Sequence, residues 1–192
     1  MFDKYWNLVM GEKRPSFRIR ALLWKGIFQA ERGLFDEALQ TAEELKALMA
    51  ISPRKKRIRK RYQYIKGLIE LKKENYQQAI EHLEEALFLL RHQNSVNYIQ
   101  ALYIDTLAFT YYKSGNRDRA VEEYEKITLL TKGRFMFGQI YAKSFYMLGK
   151  IYEQKGWKGK AIENYEKFLS LWKAANPGIA EVEDVKKRLA GL

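Results

Sequence analysis

Two histidines, His82 and His92, are the only imidazoles in this 192-residue chain, and it has no cysteine. A catalytic zinc ion takes three protein ligands and a structural one takes four. The histidines stand ten residues apart with no second ligand set at metal spacing. Glu81, Glu84 and Glu85 beside His82 have the pattern of acids on a solvated helix face. Disulfides, zinc-thiolate sites and thiol catalysis are excluded by composition. No paired carboxylates are marked out for acid–base work, so no metal, cofactor or catalytic residue is expected and the chain does not read as an enzyme.

Two stretches have the chemistry for anions. Ser52–Arg61, SPRKKRIRKR, carries seven cations in the eight residues from Arg54: Arg54, Lys55, Lys56, Arg57, Arg59, Lys60 and Arg61. Such a run is a phosphate-binding patch, a nuclear-localisation-like address or a solvated connector. Base stacking needs aromatics beside the cations, and only Tyr62 and Tyr64 are close. Lys155-Gly156-Trp157-Lys158-Gly159-Lys160 mimics a phosphate loop. It lacks the preceding strand and the G-x-x-x-x-G-K-[ST] spacing, and it reads as a turn between helices, with Trp157 either exposed to a partner or packed.

These stretches need elements to hold them. At 47% apolar and 14% aromatic residues with three prolines, the chain has the composition of a core-forming protein. No apolar run approaches the ~18 residues that cross a bilayer. The N-terminal MFDKYWNLVMGEKRPSF has an early acid and no long apolar stretch, unlike a signal peptide. With Met1 as the natural start, the expectation is a cytoplasmic chain with no membrane partner. The net charge of +12 is concentrated in residues 52–92 and 134–192, which favours acidic partners.

The organising stretch is Gly149 to Phe168, GKIYEQKGWKGKAIENYEKF, which recurs every 41 residues. Ala161 is preceded by Ala120, Ala79 and Ala38; Gly149 by Ala108, Gly67 and Gly26; Gly156 by Gly115, Glu74 and Gly33. A small residue, a turn residue and an alanine held in register define an array of one helical hairpin. Apolar residues at helical spacing fill each copy: Ile19, Leu22, Leu23 and Ile27 before the first turn, then Ala38, Leu39, Ala42 and Leu45 after it. Pro15-Ser16 reads as a helix start and Ser52-Pro53 as a close. Residues 2–10 read as a short helix. Asn176-Pro177 opens a last helix, Ile179 to Leu189, whose polar side (Glu181, Glu183, Asp184, Lys186, Lys187, Arg188) suits a helix facing water at the end of a stack.

At Phe145, Leu148, Gly149, Tyr152, Ala161, Tyr165 and Phe168 the chain resembles the tetratricopeptide repeat. The likeness extends to Gly67, Tyr76, Ala79 and Ala86, and to Leu107, Ala108, Tyr111, Gly115, Ala120 and Tyr124. It is weakest in the first copy, where Lys25 and Gln29 replace the leucine and tyrosine. The period of 41 exceeds the family's usual 34 by two helical turns, so longer helices are expected. The resemblance implies an all-α, right-handed α-α superhelix: a single solenoid domain over 1–192, with repeats at about 17–53, 54–94, 95–135 and 136–175 and a capping helix at about 177–190. The small residue of the first helix and the alanine of the second are expected where the two helices cross.

In this family the first helices line a concave groove that takes a partner segment. The resemblance places Leu23, Tyr64, Asp105 and Tyr146 in one row of it and Trp24, Ile65, Thr106 and Met147 in the next. Ile27, Leu68, Phe109 and Lys150 follow, with Arg20, Arg61, Leu102 and Lys143 at a rim. Such a trough suits a protein or peptide partner with apolar and acidic residues. The family's carboxylate clamp for chaperone tails is absent, because Leu23, Ile27 and Ile65 occupy its rows. Two alternatives stay open: binding of nucleic acid or another polyanion through the basic patches, and self-association into a homo-oligomer.

Overall fold

The computed structural model of the chain describes residues 15–91, 99–130, 137–173 and 178–192. These residues form α-helices and no strand: α1 (Pro15–Glu31), α2 (Phe35–Ile51), α3 (Lys55–Lys72), α4 (Tyr76–Arg91), α5 (Gln100–Lys113), α6 (Arg117–Leu129), α7 (Gly138–Gln154), α8 (Lys158–Leu171) and α9 (Ala180–Gly191). The helix expected over 2–10, His92 and the Asn176-Pro177 opening lie outside the described residues. The chain divides into two compact units, Met1–Val96 and Asn97–Leu192.

Each hairpin turns on one residue with positive φ: Gly33 at 75°, Glu74 at 62°, Gly115 at 86° and Gly156 at 75°. The left-handed conformation ends the first helix and lets a backbone N–H reach back to its unsatisfied carbonyls. Leu34, Asn75 and Trp157 each donate their N–H to the carbonyl five residues earlier, at Gln29, Glu70 and Tyr152, all at 2.9 Å. In the third hairpin the Asn116 side chain instead accepts from the Arg119 N–H and caps α6. The 41-residue spacing of the turns is thus a recurrence of backbone conformation.

In the first unit α1 pairs with α2, α3 with α4, and α3 also packs on both α1 and α2. Ala38 and Ala79 are fully buried, and Leu22, Leu45, Ile58 and Leu83 fill the interior. In the second unit α5 pairs with α6 and α7 with α8, while α7 also packs on α5 and α6. Ala120, Ala161, Tyr103, Tyr165 and Phe168 are fully buried there.

The small positions of the first helices serve two different contacts. A Cβ on Gly67 would lie 2.6 Å from Leu83 and 3.2 Å from the Ala79 carbonyl oxygen, so α3 and α4 cross there as expected. On Gly149 it would meet the ring of Tyr165 at 2.5 Å, again within the hairpin. Gly26 differs: its neighbour is Ile65 of α3 at 2.5 Å, so it brings together the first helices of successive repeats.

The last helix corrects the expectation of a water-facing polar side. Val185 is fully buried, and three of the six polar residues turn inward. Glu181 pairs with Lys143 of α7 at 2.8 Å. Asp184 accepts from Tyr146 at 2.9 Å and from Arg188 at 2.7 Å. Arg188 also reaches Glu153 at 2.9 Å, whose same oxygen accepts from Tyr165 at 2.6 Å. Glu183, Lys186 and Lys187 stay exposed.

Candidate partner-binding surface

The expected groove rows divide by depth. On α1, Leu23 is 1% exposed whereas Trp24, its neighbour, is 44% exposed. Ile27 is half-buried, and Arg20 is exposed with its guanidinium 4.8 Å from the Phe17 ring centre. On α3, Tyr64, Ile65 and Leu68 are all buried. Ile65 fills the space left by Gly26, so these side chains pack inside the first unit. Arg61 is half-buried and donates to the Arg57 carbonyl at 3.1 Å.

On α5, Thr106 is buried and returns its hydroxyl proton to the Leu102 carbonyl at 2.9 Å. Phe109 is 39% exposed, with the ring of Tyr112 6.4 Å away. Burial raises the Asp105 carboxyl to about 6, against the pull of Lys143. On α7, Lys143 is tied to Glu181 and Tyr146 to Asp184. Burial and that hydrogen bond push the Tyr146 phenol up. Lys150 holds its ammonium 5.2 Å from the Tyr146 ring centre, and Met147 is half-buried.

The sequence does not display the exposure of Phe28 or the partners of Glu181 and Asp184. Phe28, 40% exposed, stands one turn beyond Trp24 on α1, and its place next to Ile27 was the available signal. Glu181 and Asp184 of α9 take up Lys143 and Tyr146, in a step of 38 residues that the 41-residue comparison does not display.

The remaining candidates resolve into local structure. His82 shares a short contact of 2.7 Å with the Gln63 amide oxygen, and burial lowers its imidazole pKa. Among the described residues no group of three or more His, Asp or Glu is arranged to hold a metal. Of the lysine- and glycine-rich stretch, Lys155, Gly156 and Trp157 form the turn between α7 and α8, and Lys158, Gly159 and Lys160 open α8. Trp157 is both packed and exposed: one face stacks on Tyr152 at 5.7 Å, yet the residue is 47% exposed. Lys155 and Lys160 lie 4.6 and 5.0 Å from its ring centre. In the basic run, Arg54, Lys55 and Lys56 are exposed, Arg59 pairs with Glu85 at 2.5 Å, and Lys60 is buried with its ammonium lowered to about 8.

Comparison with known proteins agrees with this geometry. The tetratricopeptide repeat profile matches residues 60–87 and 142–171, one match in each unit. No curated protein matches the chain. Among solved structures, MamA is 23% identical with a TM-score of 0.57, over 81% of this chain and 79% of that one. The APC/C hetero-tetramer Cut9–Hcn1 is 20% identical with a TM-score of 0.66, over 88% of this chain but 29% of that one. A Podospora anserina kinesin light chain candidate with nearly identical TPR-like repeats is 19% identical with a TM-score of 0.62, over 87% and 80%. With its positive-φ turns, buried alanines and packed hairpins, the chain carries tetratricopeptide repeats at residues 60–87 and 142–171 and has a tetratricopeptide-like, all-α helical-repeat fold.

Proposed function

We propose that the chain is a non-catalytic interaction module that binds a protein or peptide segment carrying apolar and acidic residues. Tetratricopeptide repeats are in general a protein-interaction fold and typically non-catalytic. The observation that carries the reading is the exposure of large rings on the leading first helix of each unit: Trp24 and Phe28 on α1, Phe109 on α5. Aromatic anchors of this kind contribute disproportionately to binding when a partner closes over them. Arg20 lies one turn from Trp24 and favours acidic flanks on the partner; in the second unit Lys150 has this role, Lys143 being paired with Glu181.

Within the first unit the partner surface is therefore narrower than the expected rows, because Leu23, Tyr64, Ile65 and Leu68 are already used in its interior. The test is selection of amphipathic helical peptides with acidic flanks against the whole chain. Selected peptides should lose about tenfold or more in affinity for a Trp24→Ala/Phe109→Ala variant, with far-UV circular dichroism unchanged. Full affinity in that variant counts against this surface.

A further inference from the structure

Asp105 is the one acidic residue on the rows expected to face a partner. The equivalent positions hold Leu23 and Tyr64, both buried, and Tyr146, bonded to Asp184 at 2.9 Å. Asp105 is half-buried, so it retains contact with solvent. Among the described residues its carboxyl accepts no hydrogen bond and joins no ion pair. Two groups on the helices packed against α5 bear on it. Lys143 of α7 draws on the carboxylate, but that ammonium is held by Glu181 at 2.8 Å. The Tyr124 phenol of α6 is raised by burial and then by the Asp105 charge.

Burial without a donor penalises the ionised form, and it lifts this carboxyl to about 6. At neutral pH the carboxylate therefore costs the fold stability, which the pull of Lys143 offsets only in part. A perturbed group of this kind marks a candidate functional position, and its surroundings say for what. Asp105 and Phe109 stand four residues apart on α5, so they share a face, about 6 Å apart along the helix. Phe109 is 39% exposed. On the neighbouring α7, Lys150 lies 5.2 Å from the Tyr146 ring centre and, among the described residues, is in no ion pair. The two helices lie side by side, with Gln154 of α7 donating to the Tyr112 hydroxyl of α5 at 3.0 Å.

We propose that Asp105 selects the charge of the partner, accepting a hydrogen bond from a lysine or arginine one turn from the apolar residue seated on Phe109. This rests on the reading of Phe109 as an anchor and deepens it: on the second unit the partner segment carries a base as well as an acid. The base supplies the donor that burial denies the carboxylate, and charge-assisted bonds are the stronger ones. An acid at the same place meets a second carboxylate in a half-dry site. One residue thus attracts the right segment and repels the wrong one.

Two synthetic helical peptides test this on the whole chain at pH 7.5. Both carry a central leucine with glutamate four residues after it; one has lysine and the other glutamate four residues before it. The net charge of +12 favours the glutamate peptide in general, so the quantity read is the ratio of the two affinities in each protein. Asp105→Asn should shift that ratio about tenfold away from the lysine peptide, and Asp105→Lys should shift it further. The asparagine variant removes a half-buried charge at constant shape, so it decides the matter should Asp105→Lys fail to fold. A ratio unchanged by Asp105→Asn overturns the proposal and leaves the aromatic anchors standing. Failure of both peptides to bind the wild-type chain overturns the anchor reading and this proposal with it.

Discussion

Tyr146 of α7 donates its hydroxyl proton to Asp184 of α9 across 2.9 Å, and the same carboxylate oxygen takes the Arg188 guanidinium at 2.7 Å. A residue on the expected partner-facing row therefore joins the last helix to the second unit. Tyr146→Phe keeps the ring against Phe168, 5.6 Å away, and removes only the hydrogen bond. The expected loss is about 1 kcal/mol, seen as a fall of about 2–4 °C in melting temperature.

Gly149 is a packing requirement. A Cβ there meets the Tyr165 ring at 2.5 Å, and that ring is fully buried with its hydroxyl held by Glu153. Gly149→Ala should cost about 1–3 kcal/mol in chemical denaturation. Gly138→Ala, where a Cβ meets nothing within 4 Å, is the matched control and should be neutral or slightly stabilising.

Glu74 alone among the four hairpin turns carries a side chain at positive φ, 62°. Glycine adopts this conformation without the clash between Cβ and carbonyl oxygen. Glu74→Gly should raise stability by about 0.5–1 kcal/mol, measured as a higher denaturant midpoint with an unchanged slope.

Asp105 gives a pH dependence of known sign. Its folded pKa is raised to about 6, by burial against the attraction of Lys143. The nearby buried Tyr124 phenol is in turn raised by burial and by Asp105. The group's contribution is therefore fully present below the unfolded value near 4 and is lost as pH rises through 6. Comparing wild type with Asp105→Asn between pH 4 and 7.5, the variant should gain about 2 kcal/mol relative to wild type as pH rises. A difference that does not change with pH would show that Asp105 ionises as freely as in an unfolded chain.

The fold was legible because turn residues and small residues are tied to backbone geometry. Gly33, Gly115 and Gly156 mark left-handed positions, and Ala38, Ala79, Ala120 and Ala161 mark fully buried sites. Depth was less legible. Periodicity puts Leu23 and Trp24 in adjacent rows, but it does not say that one is sealed and the other open; that follows from how closely Gly26 lets α3 approach. From sequence the acids of α9 read as solvent-facing, because polarity alone does not reveal the Tyr146 hydroxyl and Lys143 ammonium that α7 presents to them. Contacts between successive first helices also run at 38 residues, as from Lys143 to Glu181, so a comparison at 41 passes over them.

Val185 stands 41 residues after Ser144, so α9 occupies the register of a first helix. Val185 is the single buried residue of its 12, whereas α7 buries seven of its 17. An element held by one apolar anchor and a handful of polar bonds opens at lower free energy than its neighbours. Its amide protons will therefore exchange with deuterium ahead of those of α7.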